Sequence, residues 1–89
     1  MNKKQASLTN FKKAHSHLER IIEMVEQDEY CINIMQQNLA VIGLLRSAHA
    51  MIMENHLKGC FANAIMTRSE TKKNKMTEEI LRVTKLFNK

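Results

Sequence analysis

A chain of 89 residues holds at most one domain, and a lone domain of that size buries a smaller share of its surface than a larger one, so association with further copies would help it. With no Pro, two Gly, one Tyr and three Phe, it lacks the turn residues of a many-stranded β protein and the aromatic platforms on which splayed bases stack. Fourteen Lys and Arg against nine Asp and Glu give a net charge of +5, which suits an acidic partner such as duplex DNA but also occurs on surfaces that bind nothing.

The opening residues, Met1 to Gln5, are polar and carry no apolar core of a secretory signal, so a cytoplasmic protein is expected. From Leu8 the apolar residues fall at Phe11, Ala14, Leu18, Ile21, Ile22 and Val25, the three-and-four spacing of an amphipathic helix that Ser7 or Thr9 could cap. Its other face holds Lys12, Lys13, His15, His17, Glu19, Arg20 and Glu23, which is either a solvated surface or a DNA contact. Gln27, Asp28 and Glu29 form a polar junction with Asp28 as a possible N-cap. One long second helix is predicted from about Tyr30 to Met66, interrupted only by Gly43 and Gly59. Residues 39–53 are its most apolar part, too short and too charged for a membrane span, and read as a helix covered on most sides. A basic link with Arg68, Lys72, Lys73 and Lys75 leads to a third helix with Met76, Ile80, Val83, Leu86 and Phe87 apolar. The expectation is an all-α single domain over residues 1–89.

Two cysteines in a reducing compartment are ligands, redox thiols or inert core residues more readily than a structural disulfide. Cys31, His56 and Cys60 all fall on the predicted second helix. His56 and Cys60 are four apart, one above the other on a helix face, which presents two ligands together. Cys31 lies on the same stripe, within roughly 20° of each at 100° per residue, yet about 37 Å from His56 along the axis. The three can meet when two copies of the helix pack antiparallel about a two-fold axis near Leu44 and Leu45, with Met35, Ile42, Leu45 and Ile52 along the shared stripe and Ala40 facing His49. Two identical sites then arise in an isologous homodimer. Two thiolates and an imidazole form a soft, low-coordinate set that suits Cu(I) and gives Zn(II) one ligand fewer than its closed sites take. His15, His17 and His49 rank below these three as ligands.

These residues resemble the CsoR/RcnR family of bacterial metal-sensing repressors, most closely its copper-sensing branch. The resemblance rests on Tyr30-Cys31-Ile32-Asn33-Ile34, Gln37, Ala40-Val41, then Glu54-Asn55-His56-Leu57-Lys58 and Cys60, which look like that family's YC-x-D-I, Q-x-x-A-V and ENHL-x-x-C pattern. It implies a three-helix protomer, an antiparallel four-helix-bundle-like dimer that pairs into a homotetramer, Cu(I) held by Cys31, His56 and Cys60 across the dimer, and release of double-stranded operator DNA on metal binding. No helix-turn-helix is implied. The segment Lys13 to Ile21 departs from the family's R-I-x-G-Q-V-x-G-I, although Lys13 keeps the basic position; Lys12, Lys13, Arg20 and Arg46 are the candidate phosphate contacts. Met76 stands where copper sensors of this type usually place an outer-shell Glu, leaving Glu78, Glu79 and Tyr30 as candidates for that role. Residues 2–6 contain no histidine of the kind nickel and cobalt sensors use.

The alternative is a thiol or persulfide sensor in which Cys31 and Cys60 of different subunits are joined by reactive sulfur species; relatives of that kind resemble this chain but lack the histidine. A ligand-free helical interaction module is a third class. An enzyme is not expected, because no Ser-His-Asp set, paired carboxylates or phosphate loop is found.

Overall fold

The computed structural model describes residues 2–67 and 69–89, so Met1 and the Arg68 of the predicted link lie outside it. All regular structure among the described residues is helical: α1 (Lys3–Glu26), α2 (Cys31–Asn55), a π-helical turn (His56–Phe61), α3 (Ala62–Met66) and α4 (Glu70–Phe87). The three helical stretches of the prediction are therefore present, with residues 31–66 helical throughout. Within that stretch the pattern widens from α to π over six residues, a change that apolar periodicity does not announce. The chain divides into two compact units, Met1–Asn55 and His56–Lys89.

In the first unit α1 starts earlier than Ser7 or Thr9 would place it. Asn2 is the N-cap, its side chain accepting from the Gln5 amide at 2.8 Å while the Gln5 side chain accepts from the Asn2 amide at 3.4 Å. This reciprocal pair satisfies two amides that the helix itself leaves without acceptors. Ser7 is instead buried, and its hydroxyl donates to the Lys4 carbonyl at 2.6 Å.

The junction after α1 also differs from expectation. Asp28 does not cap α2; it takes a left-handed φ of 54° just beyond the C-cap Gln27. The Asp28 amide donates to the Val25 carbonyl at 3.0 Å and the Glu29 amide to the Met24 carbonyl at 2.9 Å. Those two bonds make a Schellman termination, which usually places Gly at this position. Tyr30 precedes α2 and its carbonyl accepts from Asn33 and Ile34.

Three contacts fix how α1 and α2 lie together. Lys3 pairs with Glu54 at 3.7 Å, the Asn10 side-chain amide donates to the Leu44 carbonyl at 3.3 Å, and His17 Nε2 pairs with the Gln37 side-chain oxygen. As one number rises the other falls, so the helices form an antiparallel hairpin. Its buried residues recur every seven positions, Ser7 and Ala14 on α1 against Val41 and Ala48 on α2, with Met24 near the turn. Small side chains along this seam let the two backbones approach closely.

The apolar stripe predicted on α1 is not this seam. Leu8, Phe11, Leu18, Ile22 and Val25 are exposed, and Ala14 is the stripe's one buried member. At about 100° per residue the stripe is centred about a quarter-turn from the Ser7, Asn10, Ala14, His17 and Met24 line. On α2, Met35, Ile42, Leu45 and Ile52 are likewise exposed, displaced from the seam in the same rotational sense. Because the two helices run antiparallel, equal displacements carry both stripes to one side of the hairpin. The expectation that α2 is covered on most sides is thus corrected for the single chain: Val41 and Ala48 alone are buried along it.

In the second unit α3 ends at Thr67, whose extended backbone halts the helix and whose hydroxyl donates to the Ala64 carbonyl at 2.7 Å. Ser69 caps α4 by accepting from the Lys72 amide at 3.2 Å. The helix therefore begins before the predicted link ends. Lys72, Lys73 and Lys75 are helical, and Glu70 in the first turn and Lys85 in the last complement the helix dipole. α3 packs on α4, and Ala64 is the buried residue of this unit among those described.

Candidate metal centre and nucleic-acid face

The three candidate ligands are set by three different local structures. Cys31 is the first residue of α2 and is exposed. His56 opens the π turn and is half-buried, while Cys60 lies within the same turn and is exposed. Of the three readings open for the cysteines, inert core residue is the one their exposure in the single chain does not match. In a π turn hydrogen bonds run from i to i+5, so each residue turns through less than the α-helical 100°. His56 and Cys60, four residues apart, therefore sit about one turn apart on the same side of the helix.

Among the described residues no three His, Cys, Asp or Glu side chains gather in a group able to hold a metal ion. One chain thus offers a His–Cys pair on one turn and a separate thiol at the start of another helix. The donor chemistry of the three, two sulfurs and one imidazole nitrogen, fits a soft monovalent cation in low coordination.

The outer-shell candidates are scattered. Tyr30 is exposed just before α2; Glu78 is exposed and Glu79 half-buried on α4. Among the described residues neither glutamate enters an ion pair or a side-chain hydrogen bond. Met76 is half-buried on the same helix.

Of the candidate phosphate contacts, Lys12, Lys13 and Arg20 are exposed on α1 and Arg46 is exposed on α2. Lys13 and Arg20 are seven apart and share a line down α1, on the side of the hairpin away from the apolar stripes. Lys12 and Lys13 border a shallow, open depression with Ser16 and His17. Arg46 lies on another flank of the hairpin and holds interactions of its own, so helical geometry groups it with neither Lys13 nor Arg20. The His17–Gln37 pair inside the seam was missed by sequence reasoning, which placed His17 on the outer face. The signal available was the seven-residue spacing of Asn10, His17 and Met24 against Gln37, Leu44 and Met51.

The described residues form an all-helical chain with two exposed thiols, a half-buried imidazole on the π turn and exposed cations along α1. The chain belongs to the CsoR/RcnR family of metal-sensitive transcriptional repressors: the family described as metal-sensitive transcriptional repressor matches residues 3–89. It is 42% identical over 65 residues to the copper-sensing transcriptional repressor CsoR of Mycobacterium ulcerans (strain Agy99), covering 73% of this chain and 56% of that protein. It is 39% identical over 64 residues to the CsoR of Mycobacterium tuberculosis (strain ATCC 25618 / H37Rv), covering 72% of this chain and 54% of that one. Against the CsoR of Bacillus subtilis (strain 168) the identity is 30% over 89 residues, 99% of this chain and 85% of the relative. The chain spans a little over half the length of the mycobacterial relatives. The family is one of repressors, not enzymes, and no helix among the described residues is long and apolar enough to cross a membrane.

Proposed function

We propose that this protein represses transcription by binding operator DNA in its metal-free form and releases it when Cu(I) binds Cys31 of one subunit with His56 and Cys60 of another. The observation that carries the reading is the division of the donors: a His–Cys pair on the π turn, a lone exposed thiol at the start of α2, and no assembled site among the described residues of one chain. A second copy completes the set. The one-sided apolar face of the α1–α2 hairpin supports the same assembly, since two such faces packed together form an antiparallel four-helix bundle and remove the exposed stripes from water. Pairing of two such dimers gives the homotetramer. Copper is the metal because the donors are soft and few, and because the relatives named above are copper-sensing.

The test is subunit mixing. A Cys31→Ala chain combined with a His56→Ala/Cys60→Ala chain leaves one intact site per heterodimer, and anaerobic titration should find one Cu(I) per heterodimer. Heterodimers that bind none overturn the shared site.

The exposure of both cysteines favours one other reading, a thiol or persulfide sensor that links Cys31 to Cys60 between subunits. His56→Ala separates the two: a copper sensor loses its metal response, whereas a thiol sensor still releases DNA when treated with a persulfide donor.

A further inference from the structure

The net charge is unevenly placed. Residues 69–89 carry six Lys and Arg against three Glu, whereas residues 27–66 carry two against three acids. Within α4 the charges are sorted by face. Met76, Ile80, Val83 and Phe87 form an apolar band at three-and-four spacing, Met76 and Ile80 half-buried. On the opposite side Lys75, Arg82 and Lys85 are exposed, and the exposed Lys89 follows just beyond the end of the helix at Phe87. Glu78 is the one acid within this band. Among the described residues none of the four enters an ion pair, since the Glu70 carboxylate is taken by Lys73, on another side of the helix, at 3.5 Å.

We infer that this face of α4 is a second contact for the sugar-phosphate backbone of duplex DNA, separate from the Lys13 and Arg20 line of α1. The inference rests on the DNA-binding reading above. From Lys75 to Lys85 the helical part of the row is about 15 Å long at 1.5 Å per residue. Duplex DNA presents one charge per about 1.7 Å of axis, so a row of that length meets phosphates along its whole extent. Contacts to phosphate carry no sequence information directly, so this contribution is independent of sequence. An anionic membrane is the weaker match, because the apolar band of α4 has one aromatic residue, Phe87, and no Trp to seat in a lipid interface.

The experiment compares the parent chain with a Lys75→Gln/Arg82→Gln/Lys89→Gln variant, using fluorescence anisotropy on an operator duplex and an unrelated duplex across a salt series. Gln is a good helix former, and far-ultraviolet circular dichroism reports whether α4 is kept. A charge-preserving Lys75→Arg/Arg82→Lys/Lys89→Arg variant serves as the second chain. The neutral variant should bind both duplexes more weakly, by at least tenfold near 0.15 M salt. The slope of log affinity against log salt should fall by about 0.9 per lost contact, and the charge-preserving variant should match the parent. Anaerobic Cu(I) uptake should be the same in all three. If the neutral variant keeps the parent slope while Lys13→Ala lowers it, the α4 contact is overturned and the DNA reading stands. If the parent binds no duplex, both fall. Loss of binding to anionic phosphatidylserine vesicles with duplex affinity unchanged overturns the inference in favour of a membrane contact.

Discussion

Asp28 adopts a φ of 54°, a region that costs most L-residues about 1–2 kcal/mol and that Asp and Asn tolerate better than others. The two Schellman hydrogen bonds to Met24 and Val25 hold it there, so the turn between α1 and α2 depends on what stands at this position. Asp28→Val should lower stability by about 1–2 kcal/mol, and Asp28→Gly should preserve or raise it. Urea unfolding at one fixed protein concentration checks both, since concentration sets the stability of an assembling chain. This turn was half legible in the sequence: the polar run Gln27 to Glu29 marks the break, but the same Asp serves equally as an N-cap or as a left-handed C′ residue. The difference lies in hydrogen bonds to residues three and five earlier, which composition does not reveal. His17 teaches the same lesson. A histidine among lysines reads as surface, yet it pairs with Gln37 in the seam, and His17→Ala should cost about 1–3 kcal/mol by leaving that amide oxygen without its partner.

At the scale of elements, helix number and extent follow from periodicity and from the absence of Pro, while the direction each stripe faces does not. The apolar residues of α1 announce a helix, but the contact with α2 uses Ser7, Ala14 and Ala48 beside Val41, and the first three are weak signals in a hydropathy pattern. Close approach of backbones selects them; the larger side chains are left for another surface. Ala14→Leu should therefore overpack the hairpin and cost about 1–3 kcal/mol. Leu18→Lys/Leu45→Lys, on the exposed stripes, should leave the helical content of the hairpin in place and shift the assembly toward monomer. Sedimentation velocity with circular dichroism separates the two effects, and a Leu18→Lys/Leu45→Lys chain that stays fully associated places the dimer contact elsewhere. The π turn is the feature least legible in sequence. Its six residues, His56 to Phe61, satisfy an α pattern just as well, and the change of hydrogen-bond register leaves no mark in their periodicity.

For the molecule as a whole, the sequence singles out Cys31, His56 and Cys60 by residue type and helix stripe, and under the function proposed above it is a second copy that would bring them together. Under that proposed function, metal shared by Cys31 of one chain and His56 and Cys60 of another would tie the chains together, so Cu(I) should lower DNA affinity while the dimer persists. Release requires that the metal prefer the DNA-free conformation, and a coupling of about 1–3 kcal/mol, about 5- to 150-fold in operator affinity, is the usual scale. Once one ring nitrogen of His56 is on the metal, the other is free to donate to an outer partner and so to report occupancy to the rest of the fold. Glu78, Glu79 and Tyr30 are the candidates, with Met76 unable to accept such a bond as a carboxylate would. Measuring Cu(I) affinity and operator affinity separately for Glu78→Gln, Glu79→Gln and Tyr30→Phe tests this. The expected outcome is one variant that keeps tight copper binding and loses release; if all three release DNA as the parent does, the signal leaves His56 by a route that uses none of them.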